Sequence, residues 1–192
     1  MNTDIWIYIE TENGKALNVG YELINAARPI ADQKKNRITA VVVGKNIMKA
    51  AQDAIGYGAD SAIILDGDIY AAYSTDAYTD AITYLINKYE PETMMFGATT
   101  NGRDMAPRIA GRLSTGLTAD CTDIGVDEKT GCIRWTRPTF GGNLMADIIC
   151  PERRPQMGTV RPGVFRKAAI DRTRSGEIID ETTNVRIDPS EI

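Results

Sequence analysis

The 192-residue sequence predicts an α/β protein with a three-layer α/β/α architecture and a mainly parallel sheet, extended by antiparallel strands in the C-terminal third. Strand-like apolar runs alternate with amphipathic helical stripes four times, which is typical of a parallel sheet with helices on both faces and right-handed crossovers. The run Ile38–Val43 is rich in β-branched residues, as a central parallel strand is. After Gly116 several short strand-like segments follow one another closely.

The first half of the chain contains three predicted strand–helix units. Leu17, Tyr21 and Ile24 have helical spacing, and Pro29 predicts the end of that first helix. Asn46 is predicted to cap the second helix, which carries an apolar stripe up to Gly56. The remaining predicted elements of this half are two apolar strands and the longest helix, at Ile5–Ile9, Ser61–Leu65 and Thr75–Tyr89.

The fourth unit begins with the buried strand Met94–Phe96, which stops at Gly97. Proline is tolerated in the first turn of a helix, where backbone N–H groups lack internal acceptors, and costs stability further in. Pro107 therefore predicts a helix that starts at Asp104 as N-cap. Gly116 is predicted to end this helix in a left-handed conformation.

The C-terminal third follows a different pattern. Four strands are predicted there, either extending the parallel sheet as antiparallel strands or forming a small separate unit on it: Cys121–Val126, Cys132–Arg137, Leu144–Ile149 and Gln156–Val160. From Ile170 the chain is polar and has no helical periodicity, as an arm or linker would be. The predicted division is a domain over residues 1–169 and an arm over residues 170–192.

Composition restricts the classes of function. Hydrophobic residues make up 43% of the chain and charged residues 25%, as in a soluble globular protein. The formal charge of -4 argues against non-specific nucleic-acid binding. Neither a membrane-spanning run nor a basic-then-apolar signal pattern is visible, so a cytoplasmic location is expected. The three cysteines form no C-x-x-C pair. The sequence contains no histidine, and histidine is the commonest general base and the commonest zinc ligand in proteins.

The loop Thr99–Arg103 is a candidate phosphate site, because it precedes a helix N-terminus and carries hydroxyls, a glycine and an arginine. The alternative interpretation, which the sequence favours, is ordinary helix capping with Arg103 at the surface. The segment Gly56–Gly58 fails as a dinucleotide fingerprint because it follows a helix instead of a strand. Asp66 and Asp68 surround a glycine and are interpreted as a turn, not as metal ligands.

The final third is rich in arginine, which binds carboxylates and phosphates in a fixed fork. Its arginines either anchor a partner or a diphosphate, or they guard a solvated sheet edge: Arg137, Arg153, Arg154, Arg161 and Arg166. Trp135 and Phe140 are predicted to pack in the hairpin of this region.

Two ordered motifs carry a family resemblance. The stretch GATTNGRDMAPRIAGRLSTGLTAD contains a Gly-Arg-Asp-hydrophobic-Ala-Pro-Arg helix, a Thr-Gly-Leu turn and an Asp, which is Asp120. A second block reads RPTFGGN from Arg137, and TVRPG follows from Thr159. Together with the start IWIYIE, this arrangement closely resembles the N-terminal half of the α subunit of electron transfer flavoproteins. The resemblance runs over nearly the whole chain.

The resemblance implies a structural and docking domain, not an enzyme with its own catalytic site. Proteins of this family are heterodimers that carry electrons from acyl-CoA or other dehydrogenases on FAD. The implied partners are the β subunit and an FAD-binding domain whose Gly-Arg-Gly, Ser-Arg and Gln-His segments do not occur here. This chain alone is therefore expected to retain no FAD. Candidate cofactor contacts are Arg137, Arg161, Thr99 and Arg103, and no catalytic or metal-binding residue is assigned.

An alternative function from another class is a stand-alone nucleotide-binding α/β domain that uses the Thr99–Arg103 loop. An enzyme acting alone is the poorest interpretation, because no nucleophile motif or catalytic constellation is recognisable.

Overall fold

A seven-stranded parallel sheet forms the centre of the protein. The computed structural model describes residues 3–139, 142 and 144–185. The elements of the first half are β1 Ile5–Ile9, β2 Thr11–Glu12, β3 Lys15–Ala16, α1 Asn18–Lys34, β4 Ile38–Gly44, α2 Met48–Gly56, β5 Ser61–Asp66, α3 Thr75–Tyr89, β6 Thr93–Gly97 and α4 Thr100–Arg112. The second half contributes β7 Leu117–Cys121, β8 Asp123–Val126, β9 Ile133–Pro138, β10 Met145–Ile148, β11 Gln156–Val160 and β12 Glu177–Asp180.

The strand order of the main sheet is β12-β5-β4-β1-β6-β11-β7, and every pair in it is parallel. From β1 the chain builds outward through β4 and β5, then returns to place β6 on the other side of β1. The strand order therefore reverses between β1 and β6. In open α/β sheets the crevice beyond the carboxyl ends of such a strand pair is the usual ligand site.

Helices cover both faces of this sheet, as a three-layer architecture requires. Alternate side chains of β1 point to opposite faces, so that Ile7 packs in one core and Trp6 in the other. The first core also contains residues of α1 and α2, and the second contains residues of α3 and α4. All residues of β1, β4, β6 and β11 are buried, because helices or the small sheet cover them on both sides.

The antiparallel strands form a separate three-stranded sheet in the order β10-β9-β8. The α/β class is confirmed, and of the two predicted arrangements the small separate unit is the one observed. The predicted strand Gln156–Val160 instead joins the main sheet as the parallel strand β11. Trp135 of β9 packs directly against β11, where a Cβ atom added to Gly158 would lie 2.3 Å from its ring. Glycine is thus required at this contact between the two sheets.

Both predictions made from proline positions are wrong. Pro29 lies inside α1, which continues to Lys34, and Pro107 lies inside α4. The N-cap of α4 is Thr99, not Asp104, and its hydroxyl accepts the Gly102 N–H at 3.0 Å. The cost of an interior proline is of the order of 3 kcal/mol, and the packing of both helices on the sheet offsets it.

Two predicted caps are also wrong. Ser114, with φ 51°, takes the left-handed position after α4 that the sequence assigned to Gly116. Asn46 does not cap α2 with its side chain; it has φ 58° itself. The Asp66 carboxylate, at the end of β5, accepts the backbone N–H groups of Asn46 and Ile47 at 2.8 and 3.1 Å. This agrees with the interpretation of Asp66 as a structural residue, although its partners lie on another loop.

The segment after Ile170, expected as a polar arm, supplies the edge strand β12 on β5. Glu181 follows β12 and is almost fully buried, where its carboxylate accepts from Lys88 at 2.8 Å and also from Tyr89. The described part of residues 170–192 is therefore attached to the main sheet. The boundary at residue 169 stays a prediction. Phe140 lies outside the described residues.

Candidate functional site

A polar cavity of about 870 Å³ opens at the carboxyl ends of the central strands, beside the reversal between β1 and β6. We call it the switch-point cavity. Its walls come from the loops that follow β1, β4, β5 and β6, which parallel strands bring to one edge of the sheet. Its lining includes residues 10–14, Lys45 and Asn46, the segment 70–73, and Tyr8, Tyr78, Thr99, Thr100 and Asn101.

Glu10 is the buried carboxylate of this cavity, with 6% of its surface exposed. Its two oxygens accept from the Thr99 hydroxyl at 2.5 Å and from the Asn101 side-chain amide at 3.0 Å. Burial raises the pKa of Glu10 above its ordinary value, while the hydrogen bonds from Thr99 and Asn101 act in the opposite direction. Glu10 therefore joins the end of β1 to the first turn of α4.

This contact favours the capping interpretation of the Thr99–Arg103 loop. A helix N-terminus attracts anions, and here a carboxylate of the protein itself already lies at the first turn of α4. Gly102 allows the tight geometry, because a Cβ atom there would lie 2.0 Å from the Gly97 carbonyl oxygen. The loop thus caps α4, and Glu10 disfavours a phosphate at the same place.

Tyrosines form much of the remaining wall. Tyr78 donates to the Tyr70 carbonyl at 2.8 Å, and Tyr73 donates to Asp104 at 2.7 Å. Burial, and to a lesser degree the Glu10 carboxylate, raises the pKa of Tyr78 to about 12. Tyr8 is 2% exposed, and its hydroxyl makes no hydrogen bond to any residue that the structure describes.

A second cluster is centred on Asp120, at the end of β7. Arg161 binds its carboxylate with two hydrogen bonds of 2.9 and 2.7 Å, and Arg103 adds a third at 2.8 Å. The hydrogen bond from Arg161, followed by the charge of Arg103, holds the pKa of Asp120 below its ordinary value. Arg103 also donates to the Ala98 carbonyl at 2.9 Å, so this cluster connects β6, β7 and the segment after β11.

Arg137 lies beside this cluster without an ion pair in the described part of the chain. Together with Asp120 and Arg161 it lines a second cavity, of about 670 Å³, against β9 and β10. The edge strand β10 and the residue before it expose apolar side chains nearby: Leu144 is 71% exposed, Met145 56% and Ile148 37%. Ile148 lines the cavity together with Arg137, whereas Met145 is paired with Pro138 and lies on the other face of the small sheet. We call Arg137 and these exposed residues of the strand edge the β10 surface.

No group of three or more His, Cys, Asp and Glu side chains is placed to hold a metal ion within residues 3–139, 142 and 144–185. The three cysteines are free thiols. Burial raises the pKa of Cys121 to about 12, which makes its thiol a poor nucleophile. Among these same residues, no helix has the length and apolar character needed to cross a bilayer.

Of the four predicted site residues, the structure brings Arg103, Arg161 and Arg137 together around Asp120 and places Thr99 at the cap of α4. Glu10 and Asp120 were missed as site residues. A signal for Glu10 was present, since an acidic residue directly follows a fully buried strand. Asp120 stands in the motif that carries the family resemblance, and its left-handed φ of 65° is unusual for a residue other than glycine.

Three of the four candidate FAD contacts are already engaged within the described part of the chain. The N-terminus of α4 faces Glu10 instead of a phosphate, and Asp120 engages two of the three clustered arginines. Within the described residues, Arg137 is the one candidate guanidinium left for a contact with a bound diphosphate.

The fold and these sites define a doubly wound α/β domain with a cavity at the reversal of strand order and a separate surface suited to a partner. Residues 5–185 match the family model of the electron transfer flavoprotein domain. The chain belongs to this family.

The relatives extend beyond the length of this chain. It is similar to the electron transfer flavoprotein subunit alpha of Thermoanaerobacterium thermosaccharolyticum, with 50% identity over 92% of this chain and 53% of that protein. The corresponding subunit of Megasphaera elsdenii is 43% identical over 94% and 54%. The acryloyl-CoA reductase electron transfer subunit beta of Anaerotignum propionicum is 40% identical over 86% and 51%. The chain thus spans about half the length of these relatives.

Proposed function

We propose that this chain works as the N-terminal domain of an electron transfer flavoprotein α subunit and docks, without a catalytic site of its own, against a β subunit. Electrons from dehydrogenases would pass through FAD held mainly by the other half of the α subunit. Support comes from the family match over residues 5–185 and from the length of the relatives, of which this chain spans about half.

The observation that carries the docking role is the β10 surface. β10 is an edge strand of the small sheet, and its exposed Ile148 lines the same cavity as the unpaired Arg137. Leu144 and Met145 are exposed at the same strand edge. Centres of protein interfaces are enriched in methionine and arginine, and exposed strand edges readily pair with other chains. We propose that the β subunit covers this surface, with Arg137 directed at a carboxylate of the partner or at the flavin diphosphate.

The test uses a full-length heterodimer that contains this domain. Arg137→Ala and Met145→Asp should each weaken assembly or flavin retention by about 2 kcal/mol, the lower limit of interface hot spots. Arg172→Ala is the matched control, because Arg172 is exposed on the α2 side, where it pairs with Asp53 at 3.7 Å. The measurements are heterodimer dissociation and the rate of flavin release.

Unchanged dissociation and flavin release in both test variants would contradict the docking role of the β10 surface. Melting curves of the isolated chain serve as the control for folding. Met145 is exposed, and the half-buried Arg137 has no ion pair within the described residues, so each variant should stay within about 0.5 kcal/mol of the parent in stability.

The alternative, a stand-alone nucleotide-binding domain, has less support because Glu10 already occupies the helix N-terminus that would receive a phosphate. A ligand that binds only the native state raises the melting temperature. Titration of this chain with AMP or ATP should therefore leave its melting temperature unchanged, and a saturable rise would favour the alternative.

A further inference from the structure

The switch-point cavity is a second site that the proposed docking role does not use. It measures about 870 Å³, within the range of roughly 300–1,000 Å³ that small-molecule pockets occupy. Four separate loops enclose it at the carboxyl end of the sheet, on different strands from the β10 surface. Its position agrees with the usual ligand site of a doubly wound sheet.

The charge of this cavity is unsuited to anions. Glu10 and Glu12 line it, and the one lysine in its wall, Lys45, pairs with Asp68 at 2.7 Å. The Asp104 carboxylate lies just behind the Tyr73 hydroxyl. A phosphate or carboxylate ligand would therefore meet acidic groups and a lysine that is already engaged.

Two buried phenols mark the inside of the cavity. Tyr8 and Tyr70 both line it, are 2% and 4% exposed, and have hydroxyls that make no hydrogen bond to any residue within the described ranges. Both residues are buried as a whole but line the cavity, so their hydroxyls are free to bind water or a ligand with polar hydrogens or lone pairs. Glu10 retains acceptor capacity too, because each carboxylate oxygen has two lone-pair positions and uses one here.

We propose that the switch-point cavity binds a small organic cation whose primary ammonium or guanidinium group donates to Glu10 and to the Tyr8 hydroxyl oxygen. Such a group supplies several N–H donors and a positive charge, which match the buried carboxylate and the unpaired phenols. The tyrosine rings add favourable surface for a cation. The alkyl part of the ligand would lie against Leu17 and the side chain of Ala72 in the cavity wall.

The test is an NMR titration of the isotopically labelled chain with n-butylammonium. The expected result is a saturable shift of the backbone amide signals of Glu10, Asn46, Tyr73 and Asn101. 1-Butanol has the same alkyl group without the charge, and butyrate carries the opposite charge. Either control should bind at least tenfold more weakly, and equal binding of 1-butanol would overturn the proposal.

Two variants separate binding from folding. Tyr8→Phe removes a hydroxyl that no described residue binds, so the melting temperature should not fall while the affinity for n-butylammonium drops at least threefold. Glu10→Gln should reduce the affinity at least tenfold, and Glu152→Gln, an exposed change elsewhere, should leave it unchanged. Unaltered affinity in both Tyr8→Phe and Glu10→Gln would overturn the proposal.

The source of the cation is tested in the full-length heterodimer. Persistent n-butylammonium binding there supports a free small molecule as the occupant. Loss of binding on assembly would overturn the proposal, since a basic side chain of the partner would then fill the cavity.

Discussion

Asp120 connects two arginines from distant parts of the chain. It has a left-handed backbone, with φ 65°, and it accepts hydrogen bonds from two arginines that are 58 positions apart in the chain, Arg103 and Arg161. Arg161 is therefore engaged by a carboxylate of the domain itself. Arg137, on β9, is the arginine of this group that keeps its charge free for a partner within the described residues.

We expect Asp120→Asn to lower the free energy of unfolding by about 1 kcal/mol near neutral pH. Asparagine tolerates the left-handed backbone, so the change removes the charge and little else. Both guanidinium groups are about half exposed, and solvent screening keeps the loss small. The measurement is urea unfolding of the parent and the variant.

The pH dependence of that difference has a defined sign. The pKa of Asp120 is lowered in the folded protein, so its stabilisation is present above its unfolded pKa of about 4 and disappears as the pH falls through the folded value. The parent and Asp120→Asn should therefore converge in stability in acid. A gap that widens on acidification would contradict this account.

At the scale of elements, strands and the bounds of α3 were predictable from the sequence, and most caps were not. The expectation that Thr75–Tyr89 is the longest helix is wrong, because α1 has 17 residues and α3 has 15. Buried parallel strands are continuous apolar runs, so Ile5–Ile9 was identified correctly, and the pattern of Thr75–Tyr89 gave the bounds of α3. Groups from elsewhere in the chain take part at both helix starts: Asp66 accepts backbone N–H groups before α2, and Glu10 binds the side chains of the cap Thr99 and of Asn101 at the start of α4. Local spacing contains no information about such distant partners.

Thr99 provides the test of the revised start of α4. Thr99→Ala should cost about 1–2 kcal/mol of unfolding free energy, because the Gly102 N–H loses its cap and the buried Glu10 loses a donor. Thr99→Ser keeps the hydroxyl and should restore most of that stability. Denaturant midpoints of the three proteins give the measurement, and equal midpoints for Thr99→Ala and the parent would place the cap elsewhere.

For the whole molecule, the family resemblance predicted the class of function more fully than any single residue did. The sequence placed Thr99 and Arg103 on one loop and Arg137 at the end of a strand, but the meeting of Arg103, Arg137 and Arg161 around Asp120 depends on the order of the strands. The switch-point cavity could not be predicted for the same reason, because its walls combine segments from residue 8 to residue 101.

The isolated chain should be colourless after desalting. Among the candidate cofactor contacts in the described residues, Arg137 alone has no ion pair, and the proposal places most of the FAD contacts in the other half of the α subunit. The measurement is an absorption spectrum of the purified chain after incubation with FAD and gel filtration. Stoichiometric flavin bands in the protein fraction would contradict the proposal that the other half of the α subunit holds most of the FAD.

The position of β11 has a consequence for biosynthesis. This strand lies between β6 and β7, yet it follows β7 in the chain by 35 residues. During translation β7 is synthesised before β11, the strand that joins it to β6 in the main sheet. We therefore expect β7 and Asp120, with the small antiparallel sheet that packs on β11, to take their places only after residues 156–160 have emerged from the ribosome. We therefore expect the half of the domain that carries the β10 surface to assemble after β1, β4, β5 and β6, which surround the switch-point cavity, and before the edge strand β12 is added to β5.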